Sequence, residues 1–373
     1  MTRHDKKPGK RHAHRHGLWP RVSVIIPVLN EERYIGDCLR TILMQDYPRD
    51  LMEILVVDGM STDHTREIVQ SLAREDNRIR LLLSPQRRTP FSMNIGVAAA
   101  TGEVLVRVDG HSVVGTDHVR RLVAYLFESG ADHVGGVMRA TGRTYVQKTI
   151  ALAMSSPFGV GTARFRYTDR EQDIDTVPFG AYHRETVVQL GGFDERFLIG
   201  QDSELDYRIV LSGGQVRVTP DIHTAYYCRD SLRRLARQYF YYGKAKAYIL
   251  HKHRSLPSPR ALAPAALLTF VGALAAAAPC SRVARRVLAP VLAAYSLGCL
   301  AAGIAIAAKR GWRYAALLPA ALATLHISHG AGFLSALPAF LTPRPAERLR
   351  GSLNPSATAV PPAEAASNME IAS

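Results

Sequence analysis

An α/β fold on a mostly parallel sheet, followed by apolar helices, is predicted by three features of this 373-residue chain. Between residue 22 and about residue 220, short β-rich runs alternate with helix-period patterns in the order β-α-β-α-β-α-β, as in a doubly wound sheet. Pro27, Asp58 and Asp109 all fall where strands end, and ligands of such sheets sit beyond the carboxyl ends of the strands. Beyond residue 260 the chain turns Ala- and Leu-rich, in stretches near the roughly 20 residues that cross a bilayer.

The elements follow from local pattern. Val22 to Ile26 is a continuous apolar run, ended by Pro27, as in a buried parallel strand. Asn30 is the expected cap of a helix with Ile35, Cys38, Leu39, Ile42 and Leu43 on one face, and Glu31 and Glu32 suit its positive start. Glu53 to Val57 is the next strand with Asp58 at its end, then Ser61 to Leu72 a helix, Ile79 to Leu83 a strand, and Val104 to Val108 a strand running into Asp109. Thr116 to Ser129 places Val119, Leu122, Val123 and Leu126 together and stops at Gly130.

Composition bounds the possibilities. A hydrophobic fraction of 47% with 21% charged residues suits a packed core and excludes a wholly disordered chain. Four cysteines, Cys38, Cys228, Cys280 and Cys299, lie far apart, so neither a disulfide framework nor a zinc knuckle is indicated. There are 47 Lys and Arg against 32 Asp and Glu, a net charge of +15. Residues 1–21 carry seven of these cations against one acid and four histidines, which reads as a disordered basic head. No apolar run of signal-peptide length follows it.

Three apolar stretches, Ala261 to Cys280, Val287 to Ala308 and Tyr314 to Leu341, read as about three transmembrane helices within a membrane region spanning 246–341. The heaviest basic cluster precedes the first, which puts residues 1–260 on the cytoplasmic side of the cell membrane. Residues 342–373 are Pro-, Ala- and Ser-rich and are expected to be a disordered tail.

Three acidic positions carry the chemistry. Asp58 precedes a turn sequence, Gly59 to Asp63; it is either a turn residue or an acceptor for the imide N–H of uracil. Asp109-Gly110-His111 can turn a carboxylate and an imidazole toward one divalent ion on a nucleotide's phosphates, Mn²⁺ or Mg²⁺. Asp202 stands at a helix start and is either a cap or a general base that takes the proton of an attacking alcohol. Asp206, four residues on, is expected to pair with Arg208 or solvent.

These residues, in this order, resemble the family-2 glycosyltransferases. The text that carries the resemblance is VIIPVLNEE at 24–32, VVDGMSTD at 56–63, Asn94-Ile95-Gly96, ATGE at 100–103, Asp109-Gly110-His111, GGFDE at 191–195 and Gln201-Asp202. SLRRLARQYFYYGK at 231–244, followed by apolar stretches, resembles in particular the succinoglycan-type, ExoA-like glucosyltransferases, as does HISHGAGF at 326–333. The resemblance implies a GT-A domain over 22–245 and an inverting transfer from a nucleoside diphosphate sugar, UDP-glucose, to a lipid-linked saccharide in exopolysaccharide or cell-envelope glycan synthesis. It implies that Pro27, Asn30, Glu31 and Asp58 line the nucleotide pocket with Arg87 or Arg88, that Asp109 and His111 hold metal and diphosphate, and that Asp202 is the base. Two departures stand out: His111 replaces the usual second aspartate, and Gln201 replaces the acid that often precedes the base. The Q-x-x-R-W signature of processive synthases is absent, which favours a single-sugar transferase.

The segment Arg229 to Arg254, with Tyr239, Phe240, Tyr241, Tyr242 and Tyr248, is either a helix lying at the membrane surface or the wall that holds a lipid diphosphate acceptor. A dinucleotide-dependent oxidoreductase is disfavoured because no G-x-G-x-x-G follows the first strand. A non-catalytic basic scaffold or nucleic-acid-binding protein is the alternative from another class; no nucleic-acid partner is expected.

Overall fold

The computed structural model describes residues 19–255 and 258–338; the expected tail beyond residue 342 and nearly all of the basic head lie outside the described residues. The first half alternates: β1 (Val22–Val28), α1 (Ile35–Leu43), β2 (Met52–Asp58), α2 (Thr65–Glu75), β3 (Ile79–Leu83), α3 (Thr89–Ala99), β4 (Val104–Arg107) and α4 (His118–Ser129). The chain continues with β5 (His133–Thr141), α5 (Tyr145–Met154), α6 (Pro157–Val160), β6 (Gln172–Asp173), β7 (Gly180–His183), α7 (Arg184–Gln189), α8 (Gln201–Leu211) and β8 (Val216–Tyr227). Four helices end it: α9 (Leu232–His253), α10 (Ala263–Ala277), α11 (Arg282–Arg310) and α12 (Leu318–Ser335).

One eight-stranded sheet has the order β3-β2-β1-β4-β7-β5-β8-β6. Neighbours from β3 to β4 are parallel, β7 runs antiparallel to β4 and β5, and β8 runs parallel to β5. The carboxyl ends of β1, β2, β4, β5 and β8 therefore share one edge. Alternation along the strands sorts the core into two layers. Val24, Ile26, Ile54 and Val56 pack on α1, α2 and α4, while Ile25, Leu55 and Val57 pack on α3 and α8. Each such side chain is fully buried and contributes on the order of 1.5–3 kcal/mol. Gly96 is required there: a Cβ would lie 2.5 Å from Ile25 Cγ2, so only glycine lets α3 seat on β1.

Several local expectations are corrected. Pro27 lies within β1 rather than ending it. Its ring nitrogen faces the β4 side, where pairing stops at Ile25, so no ladder bond is lost. Asn30 does not cap α1, whose first residue is Ile35; it sits at φ 57°, with its side-chain oxygen accepting from Thr62 N. Helix α2 begins at Thr65, not Ser61, because Asp58 and Asp63 fold the preceding residues into turns.

Among the described residues two helices, Arg260–Ala277 and Arg282–Arg310, are long and apolar enough to cross a membrane. The expected third stretch holds α12, whose Leu318, Leu322, Leu325 and Phe333 are buried. Small residues bring it into close contact: Gly332 lies against the Phe240 carbonyl of α9, Gly330 against the Pro264 carbonyl of α10, and Gly243 of α9 against the His329 carbonyl. The HISHGAGF run is thus a helix-docking surface on α9.

Candidate active site

Arg107 organises the site. It ends β4, is 6% exposed, and donates from Nε and Nη2 to Asp109 Oδ1 at 3.2 and 3.1 Å. Its Nη1 lies 4.0 Å from Asp202 Oδ2, and Phe179 covers the guanidinium at 5.8 Å. One buried cation thus faces both candidate acids, which open onto the same cavity of about 950 Å³.

Asp202 reaches this position from the first turn of α8, after Gly200 takes φ 77° as the cap residue. Its Oδ1 accepts from Ser203 N at 2.7 Å. Burial pushes its carboxyl above the usual carboxylate range, with Arg107 opposing and Asp206 reinforcing the rise. That combination suits a general base: a basic carboxylate, anchored through one oxygen, beside a cavity. Asp206 is not paired as expected. It is buried, with Oδ1 on His133 Nδ1 at 2.7 Å and Oδ2 accepting from Val177 N, while Arg208 pairs with Glu204.

His111 lines the same cavity, and its Nδ1 meets Glu31 Oε1 at 2.9 Å. This hydrogen bond raises the imidazole pKa against the effect of burial. With Nδ1 as the donor to Glu31, Nε2 is left with its lone pair, the arrangement in which a histidine is oriented as a ligand. Among the described residues, no three His, Cys, Asp or Glu side chains converge to hold a metal by themselves.

The expected nucleotide residues sit at the β1 and β2 ends, beside this cavity rather than in it. Asn30 N donates to Ser61 Oγ, and Ser61 N donates to Asp58 Oδ2 at 2.9 Å, so Ser61 stitches the two loops together. Asp58 is fully buried; its Oδ1 has no hydrogen-bond partner among the described residues, and Arg66 Nε lies 3.8 Å from Oδ2. Pro27 is half-buried in β1, and Arg88 is exposed at the start of α3. Other signature residues hold the scaffold. Asn94 binds the Phe193 backbone through both its amide atoms, and Asp194 accepts from Arg196 and Lys252.

Residues 23–191 match the model of "Glycosyl transferase family 2". The succinoglycan biosynthesis protein ExoA of Rhizobium meliloti is 32% identical over 83% of this chain and 93% of its own length. The chain belongs to glycosyl transferase family 2. A dolichyl N-acetyl-α-D-glucosaminyl phosphate 3-β-D-2,3-diacetamido-2,3-dideoxy-β-D-glucuronosyltransferase of Methanococcus voltae is 28% identical over 62% of this chain and 74% of its own length. Among solved structures, the mannosyltransferase PcManGT of Pyrobaculum calidifontis, in complex with GDP-Man and Mn²⁺, superposes with a TM-score of 0.58 at 26% identity. It covers 85% of this chain and 88% of its own. This family-2 glycosyltransferase therefore carries the mixed α/β sheet of those relatives, with two long apolar helices appended.

Arg107 is the one charged residue in the apolar run from Val104 to Val108. The available signal was that a lone cation in the interior of a buried strand, two residues before an acid, needs a partner.

Proposed function

We propose that this chain is a membrane-attached inverting transferase, moving a hexose from a nucleoside diphosphate sugar, UDP-glucose, to a lipid-linked saccharide during exopolysaccharide or envelope glycan synthesis. The observation that carries this reading is the pairing of Asp109 and Asp202 on one buried Arg107 in a single cavity. The lipid-linked acceptor draws on the Methanococcus relative, whose name describes a dolichyl phosphate-linked substrate.

Asp109 and His111 fit a divalent ion as two protein ligands completed by substrate phosphates, in keeping with hard cations that keep few protein ligands. Such an ion, Mn²⁺ or Mg²⁺, supplies neutralisation of charge on the departing diphosphate. Glu31 fixes the imidazole, and Arg107 holds the Asp109 carboxylate from the protein side. Asp202 takes the proton of the acceptor hydroxyl as its oxygen bonds to the anomeric carbon. The bond from that carbon to the diphosphate breaks with its electron pair leaving on phosphate, and configuration inverts. Arg107 opposes the rise in the Asp202 carboxyl, keeping the base ionised before reaction.

Asp58 supplies a buried acceptor oxygen, and Pro27, Asn30, Glu31 and Arg88 the adjoining walls of a nucleotide pocket. Helices α10 and α11 leave Phe270, Leu292, Leu297, Leu300 and Ile304 exposed, which water disfavours and a bilayer accepts. With the basic cluster that precedes α10 on the cytoplasmic face, the cavity lies on the side that supplies nucleotide sugars. The test is to incubate membranes containing the protein with labelled nucleotide sugars, with and without Mn²⁺ or Mg²⁺. UDP-glucose label entering the lipid fraction only with metal supports the reading; no label from any donor refutes it.

A further inference from the structure

The cavity extends beyond Asp202 to a second cationic corner that the transfer step does not use. Arg166 lies there at the end of a single 3₁₀ turn and is 5% exposed. Among the described residues its guanidinium has no carboxylate partner and makes no hydrogen bond, and Nη1 is buried with nothing to receive it. Its neighbours are ring faces, Phe165 at 5.0 Å and Tyr226 at 5.8 Å. Aromatic faces compensate a desolvated cation only in part, so the corner is held ready for an anion.

Two hydroxyls complete it. Gln238 Nε2 donates to Tyr226 Oη at 2.8 Å and to Tyr242 Oη at 2.9 Å. Each phenol oxygen accepts there, so each keeps its own proton to donate to a ligand. Lys246 lines the same cavity and is in no ion pair among the described residues. The wall then becomes apolar at Pro264 and Leu267 of α10 and Leu325 of α12.

The donor's diphosphate has its seat at Asp109 and His111, so this second anion site faces the other substrate. We propose that Arg166, with Tyr226 and Tyr242 oriented by Gln238, binds a phosphate carried by the acceptor. The enzyme then selects a phosphorylated amphiphile over a neutral glycolipid or a free saccharide. This inference rests on reading the cavity as the site of transfer to a lipid-linked acceptor.

The test uses the full chain in lipid nanodiscs and titrates farnesyl diphosphate, farnesol and inorganic diphosphate by calorimetry, with UDP and GDP plus Mn²⁺ reporting the donor end. Wild type is expected to bind farnesyl diphosphate at least tenfold more tightly than either farnesol or inorganic diphosphate. Arg166→Met should lose at least tenfold on farnesyl diphosphate and stay within threefold on nucleotide, and Arg166→Lys should regain part of the loss. Since Arg166→Met removes an unpaired buried charge and keeps an apolar stem, the thermal midpoint without ligand should hold or rise.

Unchanged farnesyl diphosphate binding in Arg166→Met overturns the proposal, as does a lowered midpoint with nucleotide binding lost in parallel. Equal affinity for inorganic diphosphate overturns the assignment to an amphiphile. Equal competition by phosphatidylglycerol nanodiscs overturns it in favour of a bilayer headgroup. A wild type that binds farnesyl diphosphate through Arg166 yet transfers no sugar refutes the transfer reading and leaves the phosphate seat intact.

Discussion

Replacing Arg107 with Met removes the cation shared by the two acids of the site while roughly preserving volume. Arg107 Nη1 and Asp202 Oδ2 are 4.0 Å apart, with side chains 7% and 18% exposed. At an effective dielectric of about 20, such a pair is worth at most about 4 kcal/mol. Burial raises the Asp202 carboxyl already, and the substitution removes its main opposing charge. A carboxyl that holds its proton to higher pH is a base less often available, so the acid limb of the kcat–pH profile moves upward. On the acid side of that limb turnover should fall roughly thirty- to thousandfold, the lower figure allowing half the Coulomb value for solvent screening, and by less at neutral pH. The assay is label transfer from a nucleotide sugar across the pH range, with circular dichroism as a control for folding. An unmoved acid limb with neutral activity within threefold of wild type refutes the role of Arg107.

Three further substitutions probe other links. Glu31→Gln weakens the hydrogen bond that fixes His111, and metal-dependent nucleotide binding should weaken about ten- to hundredfold; an unchanged Mn²⁺ requirement in a UDP titration contradicts this. Burial pushes the Glu204 carboxyl up, but His253, Arg208 and Lys252 together bring it down to about 2. Its contribution, about 3 kcal/mol, is therefore present above pH 4.5 and lost as pH falls toward 2. Thermal midpoints of wild type and Glu204→Gln should differ most above pH 4.5 and converge on acidification, and a constant difference would exclude the linkage. Gly332→Val puts side-chain atoms into the Phe240 backbone; α12 should undock from α9, seen as faster amide exchange in both helices, whereas unchanged protection rejects the contact.

The parallel half of the sheet was legible because its signals are local. Val22 to Ile26, Ile79 to Leu83 and the face of α4 are set by runs and spacings that tertiary contacts did not overrule. Boundaries moved where side chains compete for backbone groups, as when Asp63 binds Thr65 N and delays α2. Asp109 and His111 could be singled out because strand ends point at ligands, and Asp202 because a carboxylate stands there at a helix start. Their common cation had a local signal toward Asp109 alone, since Arg107 and Asp202 meet only through the fold. Arg166 gave no sequence signal at all: it sits among other arginines, and its isolation exists only in three dimensions. The seat of α12 on α9 was hidden for a similar reason, because nothing local to Gly330 and Gly332 names the helix each will meet.

The most direct measurement pairs two variants of the full chain in membranes, Asp202→Asn and Asp109→Ala, and reads nucleotide binding and label transfer in the same preparations. Asp202→Asn should bind nucleotide with metal as wild type does yet transfer at least a thousandfold more slowly, whereas Asp109→Ala should lose the metal-dependent binding itself. Near-normal transfer by Asp202→Asn, or metal-dependent binding retained by Asp109→Ala, would contradict a shared site with a single base.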